Sequence, residues 1–439
     1  TTLGGLMAER VPDVRDVRDR IVAELTGQGE PGIPSPEIPS VLLADDLAPA
    51  DTAGLDPRRI LALATRLGGT TSHTAIIARQ LGMPCVVAVG GLDAVPAGVT
   101  VLVDGDQGTV TVDPEPAEAE ARLNAARTAE QALAAYGGPA RTKDGHAVQV
   151  MANVQDGAGA RAAVAAHAEG VGLLRTELAF LGRAAEPSVE EQAVGYAEVF
   201  EAFAGRKVVL RTLDAGSDKP LAFATAPDEE NPALGVRGLR VARGNPGLLE
   251  RQLDAVAEAA RRTASTPWVM APMVATVAEA KEFADSVHGR GLKAGVMVEV
   301  PSAALLAHRM LEVVDFLSIG TNDLTQYTMA ADRMATDLAH LTDPWQPAVL
   351  QLIAITAEAG RQAGKPVGVC GEAAADPLLA CALVGMGITS LSMAAAAVRP
   401  VGARLASVNM DLCEDAAEVA LAASDPMAAR QAVLEVLAT

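Results

Sequence analysis

From Arg141 to the C-terminus, short apolar runs alternate with stretches of helical spacing, and this alternation limits the choice of fold more than any other feature. The runs end near Asn153, Arg175, Arg211, Met273, Glu299, Asn322, Cys370 and Met393. Helical spacing lies between them, as at Ser188–Phe203, Thr276–Val287 and Ala348–Ala363. Eight strands separated by helices over roughly 300 residues is the count of a (β/α)8 TIM-type barrel, slightly above the usual ~250. One stretch, Leu378 to Val398, carries no charge over 21 residues and passes a length test for a membrane span. Gly385, Gly387, Thr389, Ser390 and Ser392 interrupt it, so a buried helix–strand–helix segment is expected instead.

Upstream the pattern changes. Val41–Leu43, Ile60–Ala64, Cys85–Val89, Val99–Val103 and Thr109–Val112 are short apolar runs between turn signals, which read as a small α/β domain. Pro114 to Tyr136 is Ala/Glu-rich with helical spacing and is broken by Gly137, Gly138 and Pro139, a helical linker and domain boundary. Met7 to Thr26 reads as an amphipathic helix ended by Gly27 and the Pro-rich loop Pro31 to Pro39. The whole chain is therefore α/β, a small domain followed by a barrel.

Composition narrows the function. The balance of 35 Lys+Arg against 55 Asp+Glu gives a net charge of −20, which disfavours nonspecific nucleic-acid binding. An anionic substrate must then be met by a local arginine cluster. Cys85, Cys370, Cys381 and Cys413 are far apart with no C-x-x-C pair, which argues against a zinc site or a disulfide framework and fits a reducing compartment. Thr1 to Arg10 lacks the basic flank and apolar run of a signal peptide, so a cytoplasmic protein without membrane insertion is expected.

In the small domain, Gly68-Gly69-Thr70-Thr71-Ser72-His73-Thr74 runs into a helix from Ala75 to Leu81. A Gly-rich turn opening a helix leaves backbone N–H groups unpaired, and the dipole there favours negative charge. A histidine among such donors and hydroxyls suits nucleophilic attack on phosphorus. The alternative is a helix cap with an incidental histidine.

In the large domain, Arg175, Arg211, Glu299, Asn322, Asp323 and Cys370 stand at or just beyond the carboxyl ends of apolar runs, where barrel enzymes keep their chemistry. Singly, each has a plain alternative: a surface ion pair, a helix cap, an apolar filler. Together, Arg175, Arg211 and Arg333, with Arg237 a fourth candidate, suit bidentate binding of carboxylate and phosphate. Glu299 and Asp323 suit Mg²⁺, which accepts one or two protein carboxylates. A thiol beside them could move a proton on carbon. No Walker A pattern, third dinucleotide glycine or nucleophile elbow occurs.

Two long motifs give these residues a family. Gly68-Gly-Thr-Thr-Ser-His73-Thr-Ala-Ile-Ile-Ala-Arg79 resembles the phosphohistidine signature of the phosphoenolpyruvate-utilising enzymes. Phe316-Leu-Ser-Ile-Gly-Thr-Asn322-Asp323-Leu-Thr-Gln-Tyr-Thr-Met-Ala-Ala-Asp-Arg333 resembles their second signature. Within them the chain is most similar to the Enzyme I family of the bacterial sugar phosphotransferase system, from about Ala8 to the C-terminus.

The resemblance implies that His73 takes a phosphoryl group from phosphoenolpyruvate through Nε2 and passes it to the phosphocarrier protein HPr. It implies that Arg175, Arg211, Arg237 and Arg333 bind or adjoin phosphoenolpyruvate, with Asn322 and Asp323 at its phosphate. Glu299 and Asp323 would hold Mg²⁺, and Cys370 in Val369-Cys370-Gly371-Glu372 would be the proton donor. It also implies a homodimer through the barrel. The domains would be the helical tail of an HPr-binding region over 1–30, a swivelling phosphohistidine domain over 31–113, the linker over 114–139 and the phosphoenolpyruvate-binding barrel over 140–439.

Two departures stand out. Met334-Ala335 replaces the family's usual Gly-Asn after Arg333. Only a tail of the HPr-binding domain is expected, so the chain is read as a fragment or as lacking its N-terminal part. Pyruvate phosphate dikinase and phosphoenolpyruvate synthase share both signatures, but they need an ATP-binding domain for which no motif is visible. A non-catalytic regulatory homologue is the rival from another class.

Overall fold

The computed structural model describes residues 18, 36, 38–47, 55–67, 73–81, 83–105, 108–216, 221–225, 229–333 and 335–438. The chain divides into two compact units, 1–129 and 130–439. The helix expected over Met7–Thr26 lies outside the described residues except for Arg18, which is helical.

In the first unit, β1 (Ser40–Ala44), β2 (Ile60–Thr65) and β3 (Cys85–Val86) form a parallel sheet in that order. The helix His73–Gln80 connects β2 to β3, as a parallel pair requires a crossover. Ile60, Leu63, Ala78 and Met83 pack with Leu47 and Leu55 into its core. The third strand is shorter than the run Cys85–Val89 suggested, because Ala88 adopts φ 56 and turns the backbone out of the ladder. β4 (Val101–Asp104) and β5 (Thr109–Val112) pair antiparallel. The helix Pro116–Ala135 follows.

In the second unit, β6 (Gln149–Val154), β7 (Val171–Leu174), β8 (Val208–Arg211), β9 (Trp268–Ala271), β10 (Lys293–Val298), β11 (Phe316–Gly320), β12 (Val367–Cys370) and β13 (Ser390–Met393) close into one barrel. Every pairing around it is parallel. The expected eight-stranded barrel is therefore present, with helices between its strands. Ser188 and Thr276 start two of those helices with capping boxes closed by Glu191 and Glu279. Leu378–Val398 resolves into nearly the whole of the helix Pro377–Gly385, β13 and the start of the helix Ala395–Ser407, as its glycines and serines suggested. Among the described residues no helix is long and apolar enough to cross a membrane.

The main core lies between barrel and helices and is built from Ala, Val and Leu with a few aromatics such as Phe200, Phe283 and Trp345. A smaller cluster fills the lumen: Leu173, Val209, Met270, Met297, Phe316 and Cys370.

One strand stops short. The fourth apolar run extends to Met273, yet β9 ends at Ala271. Pro272 has no N–H to give the ladder, and Met273 follows at φ 60. The Met273 N–H turns instead to Glu299 Oε2 at 2.9 Å.

At the opposite, N-terminal mouth, Lys207 Nζ lies 3.8 Å and Lys293 Nζ 4.7 Å from the centre of the Trp268 ring. Burial, with the charge of Lys293, lowers the Lys207 pKa to about 8 from its ordinary 10.5. Between those values the unfolded chain keeps a proton that the folded chain has lost, so this group makes stability rise with pH there. Below about 8 the cost of burying the ammonium is fully present. Lys207→Met is thus expected to stabilise the protein at pH 7 by on the order of 1 kcal/mol, with the gain shrinking towards pH 10. Thermal melts of both proteins at the two pH values check this.

Candidate active site

The carboxyl ends of the barrel strands surround a cavity of about 240 Å³ whose walls include Arg175, Arg211, Glu299, Asn322, Asp323, Arg333 and Cys370. Arg175 follows β7, Arg211 ends β8 and Glu299 follows β10. Asn322 and Asp323 open the helix Thr321–Met329 directly after β11, and Cys370 ends β12. Parallel closure carries residues from five strands to one rim, although up to 195 positions separate them in sequence. Arg237 contacts this group from outside the cavity wall, 3.6 Å from Asp323 Oδ1. His73 belongs to the first unit, as the first residue of the helix His73–Gln80. Gly68 to Ser72, the turn expected to cradle it, lie outside the described residues. Thr74 is buried and its hydroxyl donates to Asp46 Oδ1 at 3.1 Å.

Arg211 is the electrostatic centre of the rim. Its Nη2 donates to Glu177 Oε1, while its Nη1 lies 3.0 Å from Asp214 Oδ2 and 3.9 Å from Glu299 Oε1. Burial opposes its charge, but Asp214, Glu177 and Glu299 outweigh that and hold its pKa above the ordinary value. Arg237 Nη2 shares Asp214 at 3.4 Å, and Arg333 Nη1 reaches Asp323 Oδ2 at 3.7 Å. Arg175 is exposed and makes no ion pair among the described residues, so its guanidinium faces the cavity uncommitted.

Glu299 is raised above the usual carboxylate range, first by burial and then by the negative charges of Asp323 and Asp214. Asp323 is also buried, and its Oδ1 accepts no hydrogen bond. A buried carboxylate oxygen left without a donor, beside a second carboxylate repelled by it, is a donor set for a hard divalent cation. Among the described residues no group of three or more His, Cys, Asp or Glu side chains gathers as a metal cluster, and two carboxylates suffice for such an ion.

Cys370 is buried, and desolvation pushes its thiol up to about 11, so it stays protonated near neutrality. Its Sγ donates to the Ile319 carbonyl at 3.5 Å and accepts from Ser318 Oγ at 3.6 Å. Gly371, at φ +113, leads the chain away from it, and a Cβ there would come within 2.9 Å of Asn322 Oδ1. Only glycine serves both the backbone angle and the approach of Asn322.

Two site groups escaped the reading of the sequence. Asp214 and Glu177 hold Arg211, yet each lies just after a strand, Asp214 in an irregular segment and Glu177 at the start of the short 3-10 helix Glu177–Ala179, where an acidic residue usually faces solvent. The available signal was spacing: Asp214 stands three residues after Arg211, and Glu177 two after Arg175.

A closed parallel barrel whose strand ends gather guanidinium groups, buried carboxylates and a protonated thiol is the layout of an enzyme acting on a small, multiply charged anion. Comparison with known proteins makes the class specific. Residues 129–410 match the family described as PEP-utilising enzyme, PEP-binding domain, and residues 36–108 match the PEP-utilising enzyme, mobile domain. The phosphoenolpyruvate-protein phosphotransferase of Streptomyces coelicolor is 54% identical over 99% of this chain and 79% of that protein. Its namesake in Haloferax volcanii is 42% identical over 96% of this chain and 76% of that protein. The multiphosphoryl transfer protein of Xanthomonas campestris is 42% identical over 95% of this chain, which spans 51% of that longer protein. The chain belongs to the phosphoenolpyruvate-utilising enzymes, with the phosphoenolpyruvate-protein phosphotransferases among its relatives.

Proposed function

We propose that this protein transfers the phosphoryl group of phosphoenolpyruvate to its own His73, releases pyruvate, and passes the group to the phosphocarrier protein HPr. The observation that carries the reading is the single cavity that Arg175, Arg211, Arg333, Glu299, Asp323 and Cys370 share. Phosphoenolpyruvate has a carboxylate, a phosphate and a carbon that must be protonated once phosphorus leaves. Guanidinium groups match the first two, and the Cys370 thiol matches the third.

Arg175 and Arg333 have the exposure to close on the anion, whereas Arg211 is pinned by its carboxylates and offers a fixed charge. Such a preset charge needs no reorganisation as negative charge spreads over the phosphoryl oxygens. Glu299 and Asp323 would hold Mg²⁺, which when bound supplies a Lewis acid for the phosphate oxygens. Asn322 orients the same phosphate, Arg237 holds Asp323 in place, and neutral His73 provides the attacking nitrogen. The Cys370 proton then goes to the methylene carbon, which completes the methyl group of pyruvate, and the electron pair stays on sulfur.

On this reading residues 31–113 are the swivelling domain, 114–139 the hinge and 140–439 the barrel, with 1–30 a tail of the HPr-binding region. A cytoplasmic homodimer joined through the barrel belongs to the same reading. The test is intact mass and pyruvate release after adding phosphoenolpyruvate and Mg²⁺ without nucleotide. The expected result is one acid-labile phosphoryl group per chain with matching pyruvate, both lost on adding EDTA. No uptake, or uptake only with ATP, would overturn it.

A further inference from the structure

The lumen of a (β/α)8 barrel is ordinarily filled by bulky branched side chains. Beneath the active-site cavity this one sets three serine hydroxyls among apolar residues such as Met151, Val209 and Phe316. Ser318, Ser390 and Ser392 surround a small hollow of about 10 Å³ together with Gly172 and Gly368. The glycines are there for the hydroxyls: a Cβ at Gly172 would lie 2.4 Å from Ser392 Oγ, and one at Gly368 would lie 2.4 Å from Ser390 Oγ. Ser392 donates to Asn153 Oδ1 at 2.6 Å. Ser318 is different. It is buried on β11, and among the described residues its hydroxyl makes one hydrogen bond, to Cys370 Sγ.

A thiol sulfur is a weak acceptor, so the bond contributes little while Cys370 is protonated. It changes character once the proton has gone to carbon. The thiolate no longer donates to the Ile319 carbonyl, and the Ser318 O–H becomes a charge-assisted donor to it. An interaction weak before the step and strong after it speeds that step.

We propose that Ser318 is a positioning residue for protonation at carbon: its hydroxyl fixes the Cys370 sulfur and stabilises the thiolate left behind. This rests on Cys370 being the proton donor. In the step the S–H bond breaks, a C–H bond forms on the methylene carbon of the enolate, and the electron pair remains on sulfur under the Ser318 hydroxyl. The thiolate regains a proton from water after pyruvate leaves. Phosphoryl transfer precedes all of this and does not involve Ser318.

The experiment compares the unmodified chain with Ser318→Ala, Ser318→Thr and Cys370→Ala. Phosphoryl uptake is followed by intact mass and product formation by the ketone. The facial selectivity of deuteron delivery is followed in D₂O with the 3-methyl analogue of phosphoenolpyruvate. Ser318→Ala is expected to keep phosphoryl uptake and the affinity for phosphoenolpyruvate. It should slow carbon protonation by about 10- to 100-fold, the range for a hydrogen bond to a charged group, and let product form with loss of facial selectivity. Ser318→Thr, which restores a hydroxyl, should recover both. Overturning results are a Ser318→Ala protein within twofold of the unmodified chain with selectivity intact, or equal losses in the Ala and Thr variants together with lowered melting temperatures, which would mark a packing role. Cys370→Ala separates the two claims. If that variant still protonates carbon selectively, the reading of Cys370 fails; if it does not and Ser318→Ala does, the Ser318 proposal fails alone.

Discussion

His73→Ala should take up no phosphoryl group at all while still binding phosphoenolpyruvate. The argument is one of location. His73 opens a helix in the first unit, whereas every guanidinium, carboxylate and thiol of the candidate site belongs to the second. Removing the imidazole takes away the attacking nitrogen and leaves the anion site untouched. His73 is the first residue of that helix, and a helix dipole favours negative charge added at its N-terminus. His288, by contrast, ends its helix and pairs with Asp315 at 2.9 Å. Two measurements separate loss of chemistry from loss of binding. Intact mass after phosphoenolpyruvate and Mg²⁺ should show no added phosphoryl group. Thermal melting should still show stabilisation by phosphoenolpyruvate, about 2.7 kcal/mol at a hundredfold excess over Kd, because binding to the native state alone sets that shift. A variant that still gains an acid-labile group would place the nucleophile elsewhere.

Most of this arrangement was visible in the sequence because strand ends in a parallel barrel are local events. Val208-Val209-Leu210 followed by Arg211, or Val367-Gly368-Val369 followed by Cys370, announces both a buried strand and the rim on which its last side chain must lie. Helix starts were equally local, since Ser188 and Thr276 each meet their capping partner three residues on. What stayed hidden depends on pairs distant in the chain. Met273 looked like the end of a strand because its side chain is apolar, and nothing nearby revealed that its N–H serves Glu299. Ser318 reads as a small residue inside a strand, and its partner Cys370 is 52 positions away. The three carboxylates around Arg211 come from Glu177, Asp214 and Glu299, so no single motif contains the cluster. The sequence could point to Arg211 as an anion binder but not to it as the charge on which a buried acidic cluster depends.

That dependence makes Arg211→Met the most damaging single change in the barrel after the loss of chemistry itself. Arg211 is 6% exposed, and Glu177, Asp214 and Glu299 are 7%, 2% and 1% exposed. Without the guanidinium, Glu177 loses its ion pair, and Asp214 loses its 3.0 Å contact while the longer one to Arg237, at 3.4 Å, stays. Removing one partner of a buried charge pair typically costs about 3–5 kcal/mol, because the remaining charge is neither solvated nor matched. A loss of that size is expected here in urea denaturation. The pH dependence follows from the same cause. Glu299 is already held above the usual carboxylate range, and losing Arg211, which lowers it, raises it further, so the folded chain binds more protons than the unfolded one and its stability falls as pH rises. The deficit relative to the unmodified protein should therefore grow as pH rises through about 8. Arg211→Met/Glu177→Gln, which removes one of the stranded charges, should recover part of it. Phosphoenolpyruvate should bind more weakly to both variants, since neither restores the fixed positive charge at the rim. A single variant that loses less than about 1 kcal/mol at pH 8, the scale of an exposed pair, would mean that water or a rearranged Arg237 reaches these carboxylates. Arg211 would then be a substrate ligand without a structural role.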